Sequence, residues 1–256
     1  MGKIVSIANQ KGGVGKTTTT VNMSTVLATK GKKVLLIDCD PQGNATSGLD
    51  ITKDVELTTY DVLIDDKVQM KDVIKETKVK NLYVCPANIS LAGAEIQLTS
   101  KLDRERSLKY KLDEVKDVFD YVLIDCPPSL GLITINALTA SDSVLIPVQC
   151  EYYALEGLSE LMNTINLVTK HINKDLKIEG AILTMYDVRT KLSNEVVAEV
   201  TKFLGEKVYK NVIPRNVKLS EAPSFGMPIT LYAPTSKGAK SYEKVAKEFL
   251  KNNERK

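Results

Sequence analysis

A glycine-rich stretch near the start of the chain has the residue types needed to bind phosphate. Residues 11–18 read Lys-Gly-Gly-Val-Gly-Lys-Thr-Thr and retain the end of the Walker A pattern G-x-x-x-x-G-K-[ST], although Gln10 stands where the first glycine is expected. Glycines let consecutive backbone N–H groups point at phosphate oxygens, and the N-terminus of a following helix adds partial positive charge. Lys16 would reach the β- and γ-phosphates, and the Thr17 hydroxyl would bind Mg²⁺. We therefore expect nucleotide phosphates to bind along Lys11, Gly12, Gly13, Val14, Gly15, Lys16, Thr17 and Thr18.

The segments that flank this loop are those that a phosphate-binding loop requires. Residues 3–8 are apolar and β-branched, which is typical of a buried strand, and residues 17–30 place Val21, Ser24, Thr25 and Ala28 on one helical stripe. A glycine turn that merely joins strand and helix is the alternative, and this context disfavours it. Lys11 is unusual because, within one subunit, a second cation is redundant beside Lys16 and Mg²⁺. We expect Lys11 to reach the phosphates of a second subunit across a dimer interface.

Three aspartates follow apolar runs and could serve the same phosphates. Asp125 ends the run 121–124 in the Walker B pattern, and such an aspartate holds the Mg²⁺ shell, commonly through water. A cap at the end of the strand is the alternative role. The next residue, Cys126, cannot activate water, so the group that positions water must lie elsewhere. Asp38 and Asp40 end another run and are spaced to share one face, although one of them could simply cap the following turn.

Composition and charge restrict the class of protein. The chain has 256 residues, of which 43% are hydrophobic and 26% charged, and it lacks both a run of about 18 apolar residues and a signal-peptide pattern. The four cysteines lack metal-binding spacing, which favours free thiols in the cytoplasm. From residue 201 onward there are 12 Lys/Arg and 5 Asp/Glu residues, within a net charge of +3. Binding to a polyanion or a solvated lysine-rich helix face would explain this asymmetry equally well.

Alternation of apolar runs with helical stretches predicts an α/β fold. It predicts a mostly parallel, twisted sheet with helices on both faces, and strands near 3–8, 33–38, 81–85, 120–125, 143–148 and 177–185. We expect a single domain over residues 1–256, with residues 50–80 as a surface excursion that carries short helices. Ligands in such sheets bind at the C-terminal ends of the strands, where the glycine loop, the aspartates and a turn at 147–151 would meet. His171, the only histidine, is assigned no chemistry.

Five blocks of the sequence together resemble the ParA/MinD family of deviant Walker A ATPases. The last two blocks are similar to the Soj-type, chromosome-partitioning branch of that family. The blocks are residues 11–18, 34–43, 121–128, 147–157 and 213–223. The resemblance implies a P-loop NTPase fold of the deviant Walker A type, hydrolysis of ATP with Mg²⁺, and an ATP-dependent homodimer.

The resemblance also implies roles for individual residues. It assigns Asp40 to the attacking water and Asp38 to the magnesium region, with residues 41–43 as a switch that orders around the γ-phosphate. It maps the adenine pocket onto Pro214, Arg215 and Asn216. Because Lys11 would act in trans, we expect hydrolysis that is slow until a partner stimulates it. The partner implied is a centromere-binding protein of the ParB type.

The Soj-type branch implies a dimer that binds double-stranded DNA nonspecifically when it holds ATP and releases it after hydrolysis. The chain would then associate with the nucleoid. No helix-turn-helix or zinc pattern occurs and the P-loop strand begins at Lys3, so we expect contacts to backbone phosphates without an operator-reading domain. Solubility alone would explain each single lysine equally well. The candidate contacts are Arg189, Lys191, Arg215 and Lys218, with Lys237, Lys240, Lys244 and Lys247 behind them.

Two other functions fit parts of the sequence. A MinD-like membrane-surface ATPase would end in an amphipathic helix that inserts into lipid. The predicted helix 236–252 would pack equally well on the sheet, and the tail 252–256 is wholly polar, so we expect core packing and no membrane. A metabolic relative such as the nitrogenase iron protein or a P-loop ligase is the third possibility, but the cysteines lack a cluster-ligand context. The apolar stripe of helix 236–252 is Tyr242, Val245, Ala246, Phe249 and Leu250.

Overall fold

A computed structural model of the protein describes residues 2–151 and 154–254. Two predictions touch residues outside these ranges: the block 147–157 includes Tyr152 and Tyr153, and the polar tail includes Arg255 and Lys256. The described strands are β1 (Lys3–Ile7), β2 (Val34–Asp38), β3 (Lys75–Glu76), β4 (Leu82–Cys85), β5 (Tyr121–Asp125), β6 (Ser143–Gln149) and β7 (Lys177–Thr184). The described helices are α1 (Lys16–Thr29), α2 (Asn44–Ser47), α3 (Thr59–Ile64), α4 (Met70–Val73), α5 (Ala94–Gln97), α6 (Ser107–Asp113), α7 (Leu132–Ala140), α8 (Ala154–His171), α9 (Lys191–Leu204), α10 (Val217–Glu221), α11 (Ile229–Tyr232) and α12 (Lys237–Glu254).

The strands form one mostly parallel sheet in the order β3-β4-β2-β5-β1-β6-β7, which confirms the predicted fold class. Only β3 among the described strands runs antiparallel to its neighbour. The register places Ile7 of β1 and Asp38 of β2 on either side of Asp125, the last residue of β5. The C-terminal ends of these three strands therefore meet at one edge of the sheet, where the glycine loop begins.

Helices cover both faces because the strands are apolar on both sides. On one face, Val5 and Ile7 pack in a core with residues of α1 and α12, and on the other face Ile4 packs in a core with residues of α7, α8 and α9. The interior of α1 is buried all round from residue 19 to residue 28, rather than on the single stripe that the sequence predicts. The reason is that α12, α2 and α11 also contact α1, in addition to the sheet.

Two details differ from the predictions. The segment 50–80 is more than a surface excursion, because α3 and α4 bury Val62 and Met70 completely, and β3 lies within it. Pro147 lies inside β6 and not in a turn. Proline is tolerated there because β1 pairs with β6 only as far as Leu145, so no ladder hydrogen bond to β1 is lost at Pro147.

The C-terminal helix packs on the sheet as expected. In α12, Tyr242, Val245, Ala246 and Phe249 are buried, and Leu250 is half-buried against the same core. The ring of Phe249 contacts Tyr121 of β5 with a centroid separation of 5.4 Å. His171 is the exposed last residue of α8. Within residues 2–151 and 154–254, no helix combines the length and the apolar character needed to cross a membrane.

Candidate nucleotide site and basic cavity

The glycine loop runs from the end of β1 to the first turn of α1. Gly13 and Gly15 have φ angles of +75° and +89°, a region that residues with a Cβ atom rarely adopt. Asn9 fixes the start of the loop, because its Nδ2 donates to Pro147 O at 2.8 Å and its Oδ1 accepts from Lys11 N at 3.0 Å. Beside Gly13 the described residues leave open space, so phosphate oxygens have access to the backbone there.

Lys16 lies in the hollow of this loop and is only 7% exposed. Its Nζ donates to the carbonyl oxygen of Lys11 at 3.1 Å. Burial lowers the pKa of the Lys16 ammonium, while the charges of Asp125 and Asp40 oppose that shift. A buried cation held beside carboxylates is well placed to bind an anion that enters the loop.

Asp125 is fully buried and incompletely hydrogen-bonded. Its Oδ1 accepts from Thr20 Oγ1 at 2.9 Å, and the Thr17 hydroxyl also bonds its carboxyl group. Its Oδ2 has no hydrogen-bond partner among the described residues. Burial, followed by the charge of Asp38, raises the pKa of Asp125 to about 8. Mg²⁺ requires oxygen ligands, and the Asp125 Oδ2 atom, unpaired among the described residues, fits that requirement together with the Thr17 hydroxyl group.

The remaining ligands of such an ion would have to come from water and from the nucleotide. Among the described residues, no group of three His, Cys, Asp or Glu side chains is arranged to hold a metal ion by itself. Mg²⁺ commonly binds through one or two carboxylates together with phosphate oxygens and water. Thr17 and Asp125 therefore fit a magnesium site that is completed by phosphate.

Asp38 and Asp40 lie in different environments, although they are two residues apart. Asp38 is fully buried; its Oδ2 accepts from Thr46 N at 2.8 Å and from Thr46 Oγ1 at 2.7 Å, and its Oδ1 accepts from Asp40 N at 3.1 Å. Burial raises the pKa of Asp38 to about 6, and the bonds from Thr46 oppose this shift. Asp40 is half-buried, and its Oδ1 accepts from Gln42 N at 2.9 Å, so it caps the turn of residues 41–43.

A cavity of about 350 Å³ opens beside the first turn of α1. It brings together Thr18 from the predicted phosphate loop and Pro214, Arg215 and Asn216 from the predicted adenine pocket. The Asn216 Oδ1 atom is buried and has no hydrogen-bond partner among the described residues. An amide with unused bonding capacity can read the edge of a base. The sequence missed further lining residues, Thr184 and Tyr242 among them.

Hydroxyl side chains that the sequence did not assign to the site hold it together. Thr184 Oγ1 at the end of β7 donates to Val14 O at 2.8 Å, which joins the glycine loop to a distant strand. Tyr242 Oη and Thr19 Oγ1 are 3.2 Å apart, which joins α12 to α1. Cys126 is buried beside Asp125, and burial raises the pKa of its thiol to about 12. The thiol therefore stays protonated, consistent with the expectation that Cys126 does not activate water.

A second cavity, of about 550 Å³, has a basic lining. It brings Arg189 and Arg215 together with Lys237 of α12. Lys191 and Lys218 are not among the described residues that line it. Lys191 begins α9, and Lys218 lies in α10.

Each of the four predicted DNA contacts is paired with a carboxylate. Arg189 binds Asp187 through Nε at 2.9 Å and Nη2 at 2.7 Å, and these bonds hold the pKa of Asp187 at about 2. Arg215 Nη2 donates to Glu151 Oε1 at 3.1 Å. The other two pairs lie within single helices: Lys191 with Glu195 at 3.4 Å, and Lys218 with Glu221 at 2.7 Å.

Comparison with known proteins identifies the family. The model of the family described as AAA domain matches residues 2–178. The chain is 64% identical over 253 residues to the sporulation initiation inhibitor protein Soj of Bacillus subtilis strain 168, covering 98% of this chain and 100% of that protein. It is 52% identical over 250 residues to the chromosome-partitioning ATPase Soj of Treponema pallidum strain Nichols, covering 98% of each chain.

A solved structure extends the likeness to three dimensions. Cobyrinic acid a,c-diamide synthase from Mycobacterium smegmatis, with bound ADP and magnesium, has a TM-score of 0.87 and 37% identity, covering 99% of this chain and 96% of that one. The chain therefore belongs to the ParA/MinD family of deviant Walker A P-loop ATPases, and it is an ATPase whose cofactors are ATP and Mg²⁺.

Proposed function

We propose that this ATPase is a DNA segregation switch, whose ATP-bound sandwich dimer binds double-stranded DNA nonspecifically and whose hydrolysis of ATP releases the DNA. The observation that carries the proposal is a shared wall: Pro214 and Arg215 line both the nucleotide cavity and the basic cavity. A protein that binds a polyanion under the control of a nucleotide needs such an adjacency. The names of the two Soj relatives, at 64% and 52% identity, support the same function.

Two other functions receive less support. A P-loop ligase function receives less support because the cobyrinic acid a,c-diamide synthase is 37% identical to this chain, which is below the identity of either Soj relative. A MinD-like membrane role would require the apolar stripe of α12 to be available to lipid, whereas Phe249 is 1% exposed. We place the whole cycle in a single P-loop ATPase domain over residues 1–256. Because it binds DNA in one step of the cycle, the protein would associate with the nucleoid.

The loop residues and the three aspartates have separate roles in the proposed hydrolysis. Backbone N–H groups from Gly12 to Thr18 and the Lys16 ammonium bind the phosphates, while Thr17 and Asp125, with Asp38 behind them, would hold Mg²⁺, which would supply positive charge against the phosphates. Asp40 orients the attacking water, and Lys11 of the second subunit neutralises charge that develops on the transferred phosphoryl group. Hydrolysis is then slow until a ParB-type partner stimulates it.

Cosedimentation with random-sequence DNA and, separately, with anionic liposomes tests the function. Each experiment is done with ATP and Mg²⁺ and with ADP, and Lys16→Ala serves as the variant without nucleotide. We expect retention on DNA only, with ATP only, and with a strong dependence on salt because the contacts are to phosphates. Retention on liposomes alone would replace the proposal with a membrane-surface function. Equal retention on DNA with ATP, with ADP and in Lys16→Ala would contradict a nucleotide-controlled switch.

A further inference from the structure

The ion pair between Glu151 and Arg215 differs from the pairs around the other predicted DNA contacts. The Arg189, Lys191 and Lys218 pairs join residues two to four positions apart. Glu151 and Arg215 are 64 positions apart and join the segment after β6 to the segment before α10. This pair therefore depends on how two separate parts of the fold are placed, and not on the geometry of a single turn.

Arg215 occupies the wall between the two cavities. It lines the nucleotide cavity with Asn216 and Thr18, and it lines the basic cavity with Arg189 and Lys237. Its side chain is 61% exposed, so phosphate can reach the guanidinium group once the carboxylate moves away. A carboxylate already bonded to an arginine competes with phosphate for the same N–H donors.

Glu151, in turn, is connected to the glycine loop. Its carbonyl oxygen accepts from Ala154 N, the first residue of α8, at 3.0 Å. One turn later, α8 approaches the loop so closely that a Cβ atom at Gly157 would lie 3.2 Å from Asn9 Oδ1 and 3.4 Å from Lys11 Cβ. A shift of Lys11 when phosphate binds therefore cannot leave the first turn of α8 unaffected, because packed elements move together.

We propose that the Glu151–Arg215 ion pair is a latch that adds to the dependence of DNA binding on ATP, beyond the contribution of the dimer. Without ATP, Glu151 holds the Arg215 guanidinium group away from DNA phosphates. When the γ-phosphate of ATP completes the filling of the loop beside α8, the pair separates and Arg215 joins Arg189 and Lys237 as a phosphate contact. This inference rests on the proposed function and names the ion pair, Glu151 with Arg215, that would regulate DNA binding.

Glu151→Gln tests the latch, because it removes the charge of the carboxylate and keeps the size of the side chain. An exposed ion pair is weak, so we expect the affinity for DNA with ADP to rise by about two- to five-fold. The affinity with a non-hydrolysable ATP analogue stays at the wild-type value, because the pair is already separated in that state. The ratio of the two affinities therefore falls by about two- to five-fold. With ADP, the dependence of log affinity on log salt steepens by about 0.9, the value of one added phosphate contact.

Glu195→Gln is the matched control, since it makes the same change of charge beside another predicted DNA contact, Lys191. Neither Glu195 nor Lys191 is among the described residues that line the two cavities. We expect its affinity for DNA to rise by the same factor in both nucleotide states, so that the ratio is unchanged. The measurement is fluorescence anisotropy of a labelled random-sequence duplex, with thermal melting of each variant to confirm that it is folded.

The outcomes distinguish failure of the latch from failure of the proposed function. If the wild-type protein binds DNA more tightly with the ATP analogue than with ADP and Glu151→Gln keeps the wild-type ratio, the latch is refuted and the proposed function stands. If Glu195→Gln lowers the ratio as much as Glu151→Gln does, the effect is one of net charge and the latch is again refuted. If the wild-type protein does not bind DNA in the presence of the ATP analogue, the proposed function fails and the latch fails with it.

Discussion

Replacing Thr46 with valine removes one hydroxyl group from the buried network that holds Asp38. That hydroxyl donates to Asp38 Oδ2 at 2.7 Å and accepts from Ala87 N at 2.9 Å. Valine has nearly the same shape, so the change removes two hydrogen bonds without opening a cavity. The network joins the end of β2 to α2 and to the segment after β4, and its loss should loosen the region around Asp40.

The structure sets the expected magnitude. A hydrogen bond to a charged group contributes about 1.5–3 kcal/mol, and a buried N–H group left without a partner costs about 1–3 kcal/mol. Thr46 N still bonds Asp38 Oδ2 at 2.8 Å, so we add the two contributions and take the lower part of the range that they give together. Thr46→Val should therefore lower the free energy of unfolding by about 3 kcal/mol. For a chain of this length, that corresponds to a decrease in Tm of about 6–12 °C.

The effect should depend on pH, because the bonds from Thr46 oppose the raised pKa of Asp38, which is about 6. A folded-state pKa above the ordinary value means that ionising this carboxyl group costs stability as the pH rises from about 4 to about 6. The Thr46 hydroxyl offsets that cost only when Asp38 is ionised. The destabilisation by Thr46→Val should therefore be larger at about pH 8 than at about pH 5.

Urea unfolding of the nucleotide-free protein at both pH values measures this effect. A lower midpoint with an unchanged m-value indicates lost stability without a change in the surface exposed on unfolding. Thr46→Ser is the control, because it retains the hydroxyl and should lose less than about 1.5 kcal/mol. If valine and serine destabilise the protein equally, or if the valine variant loses the same free energy at both pH values, the assigned hydrogen bonds do not stabilise an ionised Asp38.

Three further predictions concern the candidate site. Lys11→Ala should leave ATP binding by the monomer largely intact but abolish ATP-dependent dimerisation; a dimer of wild-type stability in analytical ultracentrifugation would contradict the role in trans. Asp40→Ala should trap the ATP-bound dimer and reduce phosphate release at least about 10²-fold, and wild-type hydrolysis would assign the water to another residue. Asp125→Asn should flatten the dependence of apo-protein stability on pH. Because the pKa of Asp125 is raised to about 8, the wild-type free energy of unfolding should fall by up to about 1.4 kcal/mol per unit between pH 6 and pH 8, and an equal slope in the variant would show that another group causes it.

Motifs with a narrow physical requirement could be predicted from the sequence. The glycine loop was recognisable because backbone that binds phosphate needs glycine at positions such as Gly13, where φ is +75°. The strands were recognisable because burial on both faces requires continuous apolar runs. The two-residue strand β3 was missed, because Lys75 and Glu76 are exposed and carry no hydrophobic pattern.

The partners of the site residues could not be predicted, because their contacts are distant in the chain. Thr184 bonds Val14 across 170 positions, and Glu151 bonds Arg215 across 64. Threonine and glutamate are too common for either residue to stand out without the fold. By contrast, the Lys191–Glu195 pair has the i, i+4 spacing of a helix, and that spacing was visible in the sequence.

The walls of the candidate nucleotide cavity come from two distant parts of the described chain: Gly15 and Thr18 near its start, and residues between Thr184 and Tyr242 near its end. A bound nucleotide therefore acts as a clamp between α1 and α12, and partial unfolding that detaches α12 also destroys the cavity. Ligand at 100 times its Kd would oppose such fraying by about 2.7 kcal/mol. Loss of the bound nucleotide would then expose α12 to proteases more often, so that depletion of both ATP and ADP would shorten the lifetime of the protein as well as stop its cycle.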